Sequence, residues 1–351
     1  MKPLEKIILF FLLLFTFIES YGQEPNILFR SDSILKITIK LHLNEVIRDL
    51  KTRDEHEAVL SYIDNNNVES IHKIKIKVRG KSRSDIDICK FPPLEINFKK
   101  NQTQNTLFEG QNKIKLVTHC NYGTEYRRYV VEEYLIYKMY QIVSPFSHNV
   151  RLCEITYIDL DKTKKSFTKI AFLIERIKDV AERNNMVVYK DSIPHQDFCN
   201  RKELDKLTFF QYLIGNLDWE IALRHNIKLI APVDGGFPIA VPYDFDYSGL
   251  INTTYAAPPE GFGSQKSVRI RSFRGFCRFN DGYSTSLDFY QIIKPDLFTL
   301  VRSSNYLTER NKNSINKYIE NFYDILDDPK KVNQKITKAC WINHKHLYEN
   351  D

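Results

Sequence analysis

"HKIKIKVRG" (His72–Gly80) alternates polar and apolar residues in steps of two. That is the period of a β-strand with one face buried. "FPPLEINF" (Phe91–Phe98) and "NKIKLVT" (Asn112–Thr118) read as further strands, joined by the polar loop "KKNQTQNTLFEGQ". Upstream, "ILKITIKLHL" (Ile34–Leu43) alternates in the same way, while Asn44–Asp64 fits either helix or strand. Downstream, "EYRRYVVEEYLIYKMYQIV" (Glu125–Val143) places apolar residues three and four apart, the pattern of a helix, and Pro145 follows as its stop. Two more strands come next, "VRLCEITYIDL" (Val150–Leu160) and "FTKIAFLIERI" (Phe167–Ile177), around a charged turn.

The second half changes character. "RKELDKLTFFQYLIGNL" (Arg201–Leu217) reads as a helix ending near Gly215. "NIKLIAP" and "FPIAVPYDF" form two short strands about the Asp234–Gly236 turn, and from about Leu287 the chain is helical, most clearly over Asn311–Leu326. No internal repeat is present.

The 351-residue chain is 42% hydrophobic and 13% aromatic, which predicts a globular fold with a sizeable core. Its start is different. Lys2 and Lys6 precede an apolar run over Ile7–Ile18, and Ser20 and Gly22 are small residues before Gln23. This is the pattern of a signal peptide over residues 1–22. The run is short for a membrane span, and no second span is evident. The mature protein is therefore expected to be secreted or periplasmic, with no stable membrane span after cleavage. A net charge of +7 suits an anionic ligand. The basic residues are dispersed, which argues against nucleic acid. Six widely spaced cysteines contain no C-x-x-C pair, so zinc is not expected. Disulfides and buried thiols both fit.

The chemistry concentrates in "GNLDWEIALRHN" (Gly215–Asn226) and "VPYDFDYSG" (Val241–Gly249). Acidic residues among strand-like apolar runs are costly to bury unless they are capped, solvated or facing a cation. Phosphoryl transfer uses such a set: one carboxylate for the attacking hydroxyl, and an Asn and a second Asp to hold Mg²⁺ against phosphates. On this reading Asp218 is the catalytic base, with Asn226, Asp244 and Asp246 as metal ligands. Asn226 lies eight residues after Asp218, not the usual five or so, so the loop must bulge or use another ligand. Arg79 and Lys81 flank Gly80, and Ser82 and Arg83 follow, in a turn where amides and cations could meet phosphate. Arg269, Arg271, Arg274 and Arg278 lie close together in "SVRIRSFRGFCR"; a solvated strand edge is preferred there over a substrate-binding patch.

These segments resemble the catalytic and metal-binding segments of CotH-like kinases, the spore-coat family of atypical protein kinases. More distantly they are similar to HipA-type kinases. The likeness extends to "VRGKSR", "FPPLEINF" and "NKIKLVTHCN", which look like the CotH small lobe, and to "YRRYVVEEYL" and "FLIERI". The resemblance implies an α+β, two-lobed protein-kinase-like fold. Its β-rich N-lobe over residues 23–177 would hold one central helix, and its mainly helical C-lobe would span 178–351. It also implies an ATP- and Mg²⁺-dependent phosphotransferase (Mn²⁺ being an alternative ion) that acts on a protein or small-molecule hydroxyl. Lys113 and Lys115 compete for the phosphate-binding lysine, with Lys90 and Lys99 behind them. Lys115 is preferred, with Glu132 or Glu133 as its ion-pair partner and Glu175 at the hinge. The alternatives are a non-catalytic kinase-like scaffold of the cell envelope and, through Asp244-x-Asp246, a nucleotide-sugar glycosyltransferase. The order of strands and helices argues against the last.

Overall fold

The computed structural model describes residues 25–64, 66–80, 86–193, 195–259, 267–278 and 282–340. The leader and the Lys81–Arg83 part of the turn lie outside the described residues.

Seven strands form the first half: β1 (Leu35–Leu41), β2 (His56–Ile63), β3 (Glu69–Val78), β4 (Leu94–Phe98), β5 (Lys113–Val117), β6 (Val150–Asp159) and β7 (Phe167–Ile174). The ambiguous Asn44–Asp64 segment supplies both a short helix, α1 (Leu43–Arg48), and β2. The strands close into a barrel in the order β1-β2-β3-β4-β5-β7-β6. Closure comes from β1, which pairs antiparallel with β2 and parallel with β6, Ile37 lying opposite Ile155.

This corrects the expected architecture. The class is α+β, but the β-rich half is a closed barrel, and the two-lobed protein-kinase-like fold is not what the chain forms. Periodicity specifies that a segment is a strand and which face is buried. It does not specify the partner, and the parallel β1–β6 pairing joins residues more than a hundred positions apart.

The alternation then explains the packing. Ile37, Ile39, Leu60, Ile74, Ile76, Ile96 and Leu116 are buried in one cluster that also takes Ile155, Tyr157 and Leu173 from β6 and β7. The alternate residues of β6 and β7, including Val150, Leu152, Ile170 and Phe172, belong to a second cluster. There they meet the central helix α2 (Thr124–Val143). β6 and β7 are thus buried on both faces, which is why their sequences are so continuously apolar. The same cluster contains residues of α4 (Arg201–Ile214), α5 (Ser284–Ser303) and α6 (Glu309–Leu326). Short α3 (Ile177–Arg183) precedes a three-stranded sheet of β8 (Met186–Val188), β9 (Ile227–Pro232) and β10 (Ile239–Pro242), in the order β10-β9-β8.

Disulfides join Cys89 to Cys120 and Cys277 to Cys340, while Cys153 and Cys199 are buried thiols. No helix among the described residues is long and apolar enough to cross a membrane.

Candidate functional site

Helix α4 ends where the sequence supplies a glycine. Gly215 adopts φ +65°, and a Cβ there would collide with the Tyr318 hydroxyl. The left-handed residue turns the chain into the Asn216–Asp218 loop. The following segment is lashed alongside: Gly249 N–H donates to Gly215 O and Leu250 N–H to Ile214 O, both at 3.0 Å. The two acidic segments therefore meet.

The eight-residue spacing is resolved by a tight hairpin. Glu220 and His225 exchange backbone hydrogen bonds of 3.0 and 2.8 Å. This folds Asn226 back onto Asp218, where its amide donates to the carbonyl (2.8 Å) and to Oδ2 (2.9 Å). His225 Nε2 donates to Oδ1 at 2.6 Å. Both carboxylate oxygens of Asp218 are thereby oriented. Tyr243 N–H bonds to Asn226 O (3.0 Å), extending the β9–β10 ladder by one rung.

Asp244 does not sit in a strand. β10 stops at Pro242, and Asp244 takes φ +64°. That conformation is uncommon for a residue with a side chain and is found often where function demands it. The position is fixed from two sides. Asp244 N–H donates to Tyr137 Oη of α2 (2.9 Å), and buried Phe245 packs on Tyr137 at 4.8 Å between ring centres. Asp246 is buried and accepts from the Tyr255 hydroxyl at 3.1 Å.

Asp218, Asn226, Asp244 and Asp246 line one cavity of about 360 Å³ with Arg79, Gly80, Lys115, Arg224, His225, Tyr243 and Tyr247. Concavities of about 530 and 370 Å³ lie elsewhere, but this one gathers residues from both acidic segments and the barrel. Lys115 on β5 and Lys228 on β9 lie 5.0 and 5.4 Å from the Tyr243 ring centre, as in a cation–π contact. Burial, reinforced by Arg79 and Lys228, lowers the Lys115 ammonium to about 8. Burial also lowers Lys228, with Arg224 adding to it. The cavity thus sets the cations Arg79, Lys115 and Arg224 beside the carboxylates Asp218, Asp244 and Asp246.

Other expected residues have different roles. Glu132 pairs with Arg128 (2.6 Å), not with Lys115, and burial raises its carboxyl to about 8 against the pull of that arginine. Arg128 also donates to Ile251 O (3.0 Å). Glu133 is buried on the same helix, and its charge helps raise Tyr137. Neither glutamate lines the cavity. Glu175 is buried in a structural pair with Arg183 (3.1 Å) and accepts from Asn149 N–H (2.8 Å). Burial raises its carboxyl while Arg183 opposes that. Lys81 lies outside the described residues. Among the described residues, no group of three or more His, Cys, Asp and Glu side chains could hold a metal ion.

The arginine-rich segment is neither strand nor solvated edge. Arg271 stacks on Tyr318 at 3.7 Å and donates to Leu213 O at 3.1 Å. Arg278 pairs with Asp205. Arg274 donates to Leu217 O (2.8 Å) and Trp219 O (2.5 Å), the two carbonyls that flank Asp218, and to Glu220 (3.0 Å). It also stacks on Trp219 at 4.9 Å. These arginines clamp the loops instead of waiting for a substrate. Sequence reasoning missed Lys228, Tyr243 and Tyr137 as neighbours of the site. Their only signal was position, one residue after β9 begins, one before Asp244, and midway along α2.

No protein-family model matches the chain, and no curated protein matches it. Among solved structures the chain is similar to a Helicobacter pylori proinflammatory kinase, CtkA, at 12% identity and a TM-score of 0.33. The match covers 86% of this chain and 97% of that one. A likeness at that level decides neither fold nor chemistry.

Proposed function

We propose that the protein is a kinase-like phosphotransferase that binds ATP with Mg²⁺ or Mn²⁺ in the Lys115–Asp218–Asp244 cavity. One observation supports this above the others. Two oriented acidic segments and the cations Arg79 and Lys115 converge on a single cavity from positions far apart in the chain. The cations suit a polyphosphate. Asp244 and Asp246, with the Asn226 side chain, offer hard oxygens to a divalent ion. Mg²⁺ commonly binds through one or two carboxylates and completes its shell with phosphates and water, so this set fits it. Such an ion would neutralise charge on the transferred phosphoryl group. On this reading Asp218, held at both oxygens by His225 and Asn226, would receive the proton of an acceptor hydroxyl on a protein or small molecule. The two disulfides support work outside a reducing cytoplasm, in keeping with a secreted or periplasmic protein.

A second reading is nucleotide binding without turnover, as in a kinase-like scaffold of the envelope. One observation favours it: Glu132, an expected partner of the phosphate-binding lysine, is committed to Arg128. The test is calorimetric titration of the chain from Gln23 onward with ATP, with and without Mg²⁺, for the wild type and Asp244→Ala, followed by assay of ATP turnover. Mg²⁺-dependent binding lost in Asp244→Ala supports the site, and turnover then separates enzyme from scaffold. Absence of binding under every metal condition refutes both readings.

A further inference from the structure

We propose that His225 is a nucleophile of the Asp218–Asp244 cavity, and that its Nδ1 takes the γ-phosphoryl group of a nucleoside triphosphate, as phosphohistidine, before that group reaches an acceptor. The inference rests on the phosphotransferase reading above and adds a covalent step to it.

The first observation is which ring nitrogen is held. His225 Nε2 lies 2.6 Å from Asp218 Oδ1. A carboxylate only accepts, so Nε2 carries the proton, and Nδ1 of the neutral ring carries the lone pair. Nδ1 has no hydrogen-bond partner among the described residues. The His225 side chain is 48% exposed and lines the cavity with Arg79, Lys115 and Asp244. A carboxylate behind an imidazole fixes the ring and stabilises the positive charge that grows on it as the far nitrogen attacks. Orienting Asp218 does not by itself call for this histidine, because the Asn226 amide already donates to Oδ2 at 2.9 Å.

The second observation is the backbone. Arg224 and Asn226, on either side of His225, take φ +53° and +52°. Left-handed residues that carry side chains are uncommon and gather at functional sites, and here two of them bracket one histidine. The hairpin is held from several sides. Glu220 and His225 exchange backbone hydrogen bonds of 3.0 and 2.8 Å, Arg274 pairs with Glu220 at 3.0 Å, and Arg224 donates to Asp191 O. The ring is therefore kept in one place against the cavity.

The surrounding groups suit the transfer. Arg79, Lys115 and Arg224 line the cavity and complement phosphate oxygens, while Asp244 and Asp246 face the same phosphates through the divalent ion that the phosphotransferase reading requires. In the first step a bond forms from Nδ1 to the γ-phosphorus, and the bond from that phosphorus to the β–γ bridging oxygen breaks. The nucleoside diphosphate leaves with that electron pair, and the Nε2 proton stays in its hydrogen bond to Asp218. In the second step the acceptor oxygen bonds to phosphorus, and the N–P bond breaks with its pair returning to Nδ1. The hydroxyl proton passes to Asp218.

The test incubates the chain from Gln23 onward with Mg²⁺ and ATP labelled at the γ-phosphate, with no acceptor present. The wild type is expected to take up label that acid removes and alkali does not, as an N–P bond requires. Mass spectrometry of peptides kept at neutral pH should place it on His225, and added ADP should discharge it as ATP. His225→Gln keeps an amide donor for Asp218 but has no nucleophilic nitrogen, so it should carry at least tenfold less label, whereas a purely positioning role would survive that change. The peptide assignment on the wild type stands whether or not the variant folds. Calorimetry of the wild type with Mg²⁺ and ATP separates the two readings. ATP binding with no label, with acid-stable label, with label on another residue, or with label undiminished in His225→Gln overturns the histidine step and leaves the phosphotransferase reading standing. Absence of ATP binding overturns both.

Discussion

Replacing Lys115 by Met should make the protein more stable while removing its binding of polyphosphate. The Lys115 ammonium sits at about 8 instead of its ordinary 10.5, with burial as the main cause. A shift of that size means that keeping the ammonium charged at pH 7 costs the fold about 3 kcal/mol. Methionine has similar length and no charge, so the substitution recovers that cost. It forfeits the contact with Tyr243, worth about 1 kcal/mol. The net gain is about 2 kcal/mol, or a rise in Tm of about 4 °C. The pH dependence gives a second check. Below about 8 the lysine is protonated in both folded and unfolded chains, and the folded state bears the full penalty. Between 8 and 10.5 the unfolded chain holds a proton that the folded chain has released, so wild-type stability gains with rising pH through this group. Glu132, raised to about 8, acts the other way, but it is present in both proteins and cancels in the difference. The assay is urea unfolding of wild type and Lys115→Met from pH 6 to 9.5. The advantage of the variant should be largest below pH 8 and shrink above it. A variant less stable than wild type at pH 7, or a difference that does not change with pH, refutes the burial argument.

Arg274→Met removes the donors that hold the carbonyls on either side of Asp218. Hydrogen bonds from a charged group are worth about 1.5–3 kcal/mol each, so a loss of about 3 kcal/mol is expected in urea unfolding after partial relaxation. A loss below about 1 kcal/mol would show that Arg274 is not the clamp. Asp244→Asn should leave stability within about 0.5 kcal/mol, since Asn tolerates the left-handed conformation, while Mg²⁺-dependent nucleotide binding falls at least tenfold by calorimetry. Unchanged binding would remove Asp244 from the metal site. Changing Cys277 and Cys340 together to Ser opens a loop of 63 residues and should cost about 4 kcal/mol by chain entropy, read as a lower midpoint in guanidinium. An unchanged midpoint would count against that disulfide.

The local elements are legible in the order of residues. Of the seven barrel strands, β1, β3, β4 and β5 follow from period-two alternation and β6 and β7 from continuous apolar runs, while α2, α4 and α6 follow from helical spacing, because burial of one face or of two imposes those patterns on side chains. The segment of β2 fits helix or strand equally because it also contains a short helix. The sequence also singled out Asp218 and Asp244, since carboxylates among apolar runs demand a reason. What these elements build is set by long-range contacts. The β1–β6 pairing that closes the barrel depends on nonlocal partners that alternation cannot name. The Glu220–His225 hairpin turned an unusual spacing into a direct Asn226–Asp218 contact. Glu132 went to Arg128, one helical turn away, because on a helix the i,i+4 neighbour is always within reach. The arginines that read as a solvated edge became clamps because the carbonyls at the end of α4 and in the Asp218 loop needed donors. Side-chain chemistry is written residue by residue, but which groups share a cavity is set by contacts between residues distant in the chain, and those exist only once it has folded.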